Sequence, residues 1–160
     1  NATADGNTVW NDTAPTSSVF TVGTGSVVNR NSSTYVYYLW SEKKGFSKFG
    51  SYTGNGNADG TFVYTGFKPA FVITKMTSAA DNWALWDNKR DSFNVNDNIL
   101  RTDTNASETP NAAYAVDFLS NGFKLRNTGT DGNGSGSTYI YMAFAESPLV
   151  NSNKVPTNAR

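Results

Sequence analysis

Nowhere along its 160 residues does this chain repeat apolar side chains at the helical period of 3.6. Its apolar runs are short, rich in Val, Ile, Phe, Tyr and Trp, and closed by Gly, Asn, Ser or Asp. β-Branched and aromatic side chains fit a pleated surface, while Gly and Asn tolerate the positive φ of tight turns. The pattern predicts strands near residues 18–22, 34–41, 47–53, 61–64, 70–76, 83–87, 113–119, 123–126 and 138–145, with a further short strand near 98–101. Asn121-Gly122, between two apolar runs, is a hairpin signal. Strands this short, with no helices between them, predict an all-β fold, an antiparallel β-sandwich or jelly roll.

One strand pattern occurs twice. Thr34-Tyr35-Val36-Tyr37-Tyr38-Leu39-Trp40-Ser41-Glu42 is echoed by Thr138-Tyr139-Ile140-Tyr141-Met142-Ala143-Phe144-Ala145-Glu146. In the late copy Ile140, Met142 and Phe144 are expected to face the core, with Tyr139 and Tyr141 on the opposite face. In the early copy Val36, Tyr38 and Trp40 take the inner positions. Both faces are apolar or aromatic, so the strand is expected to be central and covered on each side. The echo reads as a slice of a tandem array. Residues 1–44 would be the C-terminal part of a preceding unit, packed with the rest. Residues 45–147 would be a complete unit, and 148–160 a tail. A ribbon at 34–41 cut off from its original neighbours has to pair inside the complete unit or with another chain, which predicts self-association into a homo-oligomer or fibre.

Charge and composition remove whole classes of function. Thirteen Lys and Arg balance thirteen Asp and Glu, and the pI is about 6.4. Without a basic surface, neither nucleic acid nor an anionic membrane is an expected partner. No apolar run approaches the roughly 20 residues of a membrane-spanning helix. There is no Cys and no His, which excludes disulfides, Ser-His-Asp and Cys-His catalysis, and every His- or Cys-ligated metal site. No cofactor is expected.

Paired carboxylates are the catalytic route left open, as in a glycoside hydrolase. The chain has three Glu, at positions 42, 108 and 146. Glu42 and Glu146 hold the same place in the two copies, which predicts the same structural job, such as pairing with a nearby Lys. A pair involving Asp87 or Asp117 has nothing in its favour, and the expectation is a non-enzyme.

Two kinds of binding residue stand out. Trp83 and Trp86, followed by Asp87, Asn88, Lys89 and Arg90, suit a saccharide platform: an indole covers the apolar face of a pyranose while Asp, Asn and Arg meet its hydroxyls. The two indoles lie on opposite faces of one strand, so at least one is expected in the core. Asn55, Asn57 and Asp59 place oxygens like the front half of a calcium loop, a rhythm repeated at residues 131–136. Both stretches lack the bidentate Glu at the twelfth position and read better as tight turns. Residues 88–110 form the longest weakly patterned stretch, the kind of excursion on which binding tends to sit, though a solvated loop with one short strand near 98–101 is the favoured reading. Asn-x-Ser/Thr triplets at Asn1, Asn11, Asn31, Asn105 and Asn133 are about as many as chance gives in so Asn-rich a chain.

Several motifs resemble a known module in the right order: Gly45-Phe46-Ser47-Lys48-Phe49-Gly50, Phe62-Val63-Tyr64-Thr65-Gly66-Phe67-Lys68-Pro69, Trp83, Asp87-Asn88-Lys89-Arg90, Asp117-Phe118-Leu119-Ser120-Asn121-Gly122 and 139–146. Together they resemble an uncharacterised β-domain that recurs in tandem in tail-fibre-like and virion structural proteins of bacteriophages, marine ones especially. The resemblance implies a lectin-like sandwich in a virion or other extracellular appendage. It carries no catalytic residues. The expected role is a non-enzymatic structural module of a phage tail fibre that contacts host-surface polysaccharide. A carbohydrate-binding adhesin and a capsid decoration protein are the alternatives, with a glycoside hydrolase behind them.

Overall fold

A computed structural model describes residues 6–148 and 151–153. The chain divides into two compact units, residues 1–40 and 41–160. The Asn1 triplet and most of the expected tail lie outside the described residues.

The first unit contains two single-turn helices, α1 (Gly6–Val9) and α2 (Ser26–Asn29), and no strand among its described residues. Both strands expected here are therefore corrected. At 18–22 the chain leaves a tight turn in which Thr16 N–H donates to the Val19 carbonyl (2.8 Å) and Val19 N–H donates back to Thr16 Oγ1 (3.0 Å). At 34–41 the backbone has no ladder, and the tyrosines anchor it instead. The Tyr35 hydroxyl donates to Ser26 O (2.7 Å) and the Tyr37 hydroxyl to Val28 O (2.6 Å), satisfying carbonyls of α2. Val36, Tyr38, Leu39 and Trp40 are exposed. The early copy of the repeated pattern thus sits in a setting unlike that of the late copy. A strand needs a neighbour's N–H and C=O groups, and sequence alternation alone supplies none.

The second unit is an all-β sandwich of two antiparallel sheets. Its strands are β1 (Ser47–Thr53), β2 (Phe62–Tyr64), β3 (Pro69–Met76), β4 (Trp83–Asp87), β5 (Asn98–Arg101), β6 (Thr109–Pro110), β7 (Val116–Leu119), β8 (Gly122–Leu125) and β9 (Thr138–Ala145). The larger sheet runs β1-β9-β3-β4-β5-β6 and the smaller β2-β8-β7. The strand expected from residue 113 starts later, because Ala112–Tyr114 forms a 3-10 turn capped by the Asn111 side chain. β7 and β8 form the expected hairpin, with Leu119 opposite Gly122. Gly122 is required there by close approach: a Cβ would lie 2.1 Å from the Val63 carbonyl of β2.

β9 is central as expected, and lies between β1 and β3, but its inner face is the reverse of the expected one. Tyr139, Tyr141 and Ala143 are buried, while Ile140, Met142 and Phe144 are half-buried on the outer face. Aromatic packing decides the matter. Tyr139 stacks on Tyr52 (centroids 5.1 Å apart, planes 12° apart), and Phe123 of the smaller sheet meets Tyr52 and Tyr141 edge-on at 6.1 and 5.5 Å. Hydroxyls that would be costly to bury find partners at the rim. Tyr52 donates to Gly132 O (2.7 Å) and Tyr139 to Thr130 O (2.5 Å). Around this cluster Val72, Trp86, Ile99, Val116, Phe118 and Leu125 complete the core.

Candidate functional site

At one end of the sandwich the chain enters β3, leaves β4, turns from β7 to β8 and leaves β9. A groove of about 540 Å³ opens there, lined by Lys68, Asn88, Asp91, Phe93, Asn94, Asn96, Ser120 and Glu146 among others. Short-range hydrogen bonding by Asp and Asn builds the 88–97 loop that forms one wall. Asp87 Oδ1 receives the N–H groups of Lys89 and Arg90 (2.9 and 3.0 Å), and Arg90 Nε donates to Asp87 Oδ2 at 2.6 Å. Asp91 Oδ2 receives the N–H groups of Asp97 and Asn98, and Asn98 Nδ2 donates to Asp91 Oδ1.

Asn94 then acts as a strand partner made of side chain. Its Nδ2 donates to Phe118 O (2.9 Å) and its Oδ1 receives Phe118 N–H (2.9 Å). Asn96 and Val116 exchange backbone bonds at 2.8 Å in each direction. With the C-terminal end of the loop tied to β7 and Asn88 at its start bonded to Ala70 O (3.0 Å), Phe93 stands in solvent, 86% exposed. Across the groove Glu146 accepts from Asn88 Nδ2 (2.9 Å) and pairs with Lys68 Nζ (2.7 Å). Asn88 Oδ1 and Asn96 Oδ1 are buried and have no hydrogen-bond partner among the described residues. An acceptor left in that state costs about 1–3 kcal/mol.

Of Trp83, Trp86, Asp87, Asn88 and Arg90, expected to form a saccharide platform, the structure brings only Asn88 into the groove lining, with the adjoining Lys89 beside it. Trp86 is fully buried, and its Nε1 donates to Tyr114 O at 2.8 Å. Trp83 is half-buried on the other face of β4, its N–H bonded to Asp103 Oδ1 (3.2 Å). Asp87 and Arg90 brace the loop, and Arg90 also reaches Leu85 O (3.3 Å) and Glu108 (3.4 Å). The aromatic at the groove is Phe93, which sequence reasoning passed over because a lone Phe in a polar stretch carries no pattern. The signal available was its place inside the long excursion after β4.

The calcium-like turn is occupied by its own hydrogen bonds. Asn55 Oδ1 receives Asn57 N–H (3.0 Å) and Asn133 Nδ2 (2.9 Å), and Asn57 Oδ1 receives Asp59 N–H (2.8 Å). Asp59 pairs with Lys124 (2.6 Å), and that hydrogen bond holds its carboxyl below the usual carboxylate range. The second oxygen-rich turn is locked to the first through Asn133. Among the described residues no group of three or more Asp or Glu is placed to share a metal ion.

Carboxylates elsewhere are also tied down. Glu42 pairs with Lys48 (3.0 Å) just as Glu146 pairs with Lys68, the shared structural job expected of equivalent positions. Asp117 pairs with Arg126 at 3.4 Å. Asp131 is buried beside Asp81 and bonded to Arg101 Nη2 (2.5 Å). Desolvation, then the hydrogen-bonding contact with Asp81, raises its pKa against the pull of Arg101.

Asp87 behaves oppositely. Burial opposes its charge, but the hydrogen bonds from Arg90 and Lys89 prevail and its pKa is lowered. Its stabilising contribution is therefore present above the unfolded carboxylate pKa and lost as pH falls through the folded one. Asp87→Asn is expected to cost about 1.5–3 kcal/mol at pH 6, the range for hydrogen bonds to a charged group. The gap between variant and wild type should narrow in urea unfolding as the pH falls below the usual carboxylate range. A gap independent of pH would contradict this account.

A family model described as "Domain of unknown function (DUF7483)" matches residues 1–148. No curated protein and no solved structure matches the chain. With nearly the whole chain inside that match, the protein belongs to the DUF7483 domain family.

Proposed function

We propose that this chain is a non-enzymatic recognition module of an extracellular, virion-borne appendage of the phage tail-fibre kind, and that its groove contacts host-surface saccharides. The observation that carries the saccharide reading is Phe93, a large aromatic held in solvent by a rigidly hydrogen-bonded loop beside a groove rich in amides. An exposed phenyl ring covers the apolar face of a sugar ring. Lys68, Lys89 and Ser120 line the same groove and offer donors and an acceptor to its hydroxyls. Lys68 and Lys89 balance Asp91 and Glu146 around the groove, which suits a neutral ligand.

Support for a binding role over a catalytic one lies in how the groove's carboxylates are used. Asp91 is spent on three loop hydrogen bonds, and Glu146 on Lys68 and Asn88. General acid–base work needs one carboxyl protonated and a second free to act. The appendage setting rests on the sequence: the ordered motifs of the phage module, the polar, aromatic-rich composition, and the absence of Cys and His.

A glycan array probed with the purified chain tests the reading. Saturable binding to neutral bacterial-surface saccharides is expected. Phe93→Ala should weaken it about tenfold or more, equivalent to roughly 1.4 kcal/mol. Trp83→Ala should leave it unchanged, and incubation with the bound saccharide should release no new reducing ends. Absence of binding across the array, or binding indifferent to Phe93→Ala, would defeat the proposal.

A further inference from the structure

We propose that the free edge of β1 takes up the 34–41 ribbon of a second copy of this chain, so that copies assemble by strand exchange. β1 is the end strand of the larger sheet, and Gly50, Ser51 and Thr53 on it are exposed. Its hydrogen-bonding groups alternate in direction. Phe46 O accepts from Ala145 N–H and Gly54 N–H donates to Ser137 O, both at 2.8 Å, so the even positions between them face β9. Ser47, Phe49, Ser51 and Thr53 turn their N–H and C=O groups the other way. The strand contains no Pro, and its one charge, Lys48, sits at an even position and is paired with Glu42 at 3.0 Å.

A ladder has already begun on this edge. Lys43 N–H donates to Ser47 O (3.2 Å) and Ser47 N–H to Lys43 O (2.9 Å), an antiparallel bridge. The next rung would pair Ser41 with Phe49, but within one chain it is pre-empted. The Ser47 hydroxyl donates to the Ser41 carbonyl (2.9 Å) and receives Lys43 N–H (3.1 Å). Ser41 is thereby held on the Ser47 side chain, short of Phe49, and the backbone groups of Phe49 and Ser51 are left for a strand arriving from elsewhere.

The ribbon at 34–41 is suited to be that strand. Its sequence repeats that of β9, the strand β1 already pairs with on its other side. It has no ladder of its own, and Val36, Tyr38 and Leu39 are 75%, 75% and 67% exposed. Taken up in the register that the Lys43–Ser47 bridge begins, it would set Leu39 opposite Ser51 and Tyr37 opposite Thr53. Leu39 and Tyr37 would then share the outer face with Phe49, extending the aromatic row in which Phe144 meets Phe49 at 6.0 Å and Phe71 at 5.9 Å. Exchange of one element between identical copies uses contacts the sequence already favours, and a short connecting loop promotes it.

Sedimentation velocity on the full chain, from low to high micromolar concentration, tests the proposal. A reversible dimer or larger assembly is expected. Leu39→Pro should return it to monomer, as should Ser51→Pro, whose lost N–H points away from β9 and leaves the sheet intact. Circular dichroism verifies that both variants fold. The chain has no Cys, so single Leu39→Cys and Ser51→Cys variants, mixed and mildly oxidised, should give a disulfide-linked heterodimer. A monomer at every concentration would overturn strand exchange. So would assembly untouched by Leu39→Pro, or cross-linking only when both cysteines lie in one chain.

Discussion

Trp86→Ala should cost about 3–5 kcal/mol, the range for deleting a large aromatic from a packed core. Trp86 is completely buried, and its indole carries the only side-chain donor reaching the Tyr114 carbonyl among the described bonds. Truncation would leave a cavity between the sheets and an acceptor without its partner. With folded domains stable by about 5–15 kcal/mol, that loss runs from about a fifth of the total to nearly all of it. In urea the midpoint should fall on the order of 1–2 M. Trp83→Ala, on the half-buried face of the same strand, should cost no more than about 1 kcal/mol. Equal losses from the two substitutions would refute the assignment of Trp86 to the core and Trp83 to the periphery.

Asn133→Ala should be nearly as damaging, although it removes no apolar surface. Asn133 is fully buried. Its Nδ2 lies within 2.9 Å of Asn55 Oδ1, 2.9 Å of Asn57 O and 2.6 Å of Asn127 O, and its Oδ1 receives Asn55 N–H at 3.0 Å. One amide therefore joins the 55–60 turn to the 131–136 turn. Glycines allow the approach: a Cβ on Gly54 would come within 2.4 Å of Gly134 O, and one on Gly60 within 2.3 Å of Leu125 O. Each buried group left unpaired costs about 1–3 kcal/mol, so a total near 3–5 kcal/mol is expected. Scanning calorimetry should register a midpoint lower by about 8–15 °C. Asn133→Asp should be worse, since a carboxylate would face carbonyl oxygens in place of a donor. A variant with unchanged midpoint would show that the two turns stand without the latch. The same burial makes Asn133 a poor glycan acceptor despite its Asn-Gly-Ser triplet.

These two residues show where sequence reasoning reached and where it stopped. Trp86 lies on a strand legible from alternation, and the odd spacing to Trp83 already required one indole to turn inward. Asn133 was legible only as part of a turn. Its bonds to residues 55 and 57 join turns 78 and 76 positions apart, and no local pattern encodes a contact at that range. The groove suffered the same way. Asn88 was visible as a polar residue following a Trp pair. Phe93 became notable only because Asn94 and Asn96 clamp its loop to β7.

Local chemistry alone determined that this chain makes strands and turns, since β-branched and aromatic runs between Gly- and Asn-rich breaks leave the backbone few other choices. The absence of His and Cys likewise settled, without any coordinates, which catalytic and metal chemistries are closed to it. Long-range packing decided the rest. Two nearly matching ribbons, 34–42 and 138–146, ended in different states because the later one has β1 and β3 beside it, while the earlier spends its tyrosine hydroxyls on the carbonyls of α2. In β9 both faces are apolar enough to be buried. The inner one was chosen by Tyr52 and Phe123, with which Tyr139 and Tyr141 stack or meet edge-on, and by the rim carbonyls that satisfy the hydroxyls of Tyr52 and Tyr139. Alternation gives a strand two faces; the partners that close over one of them say which is inside.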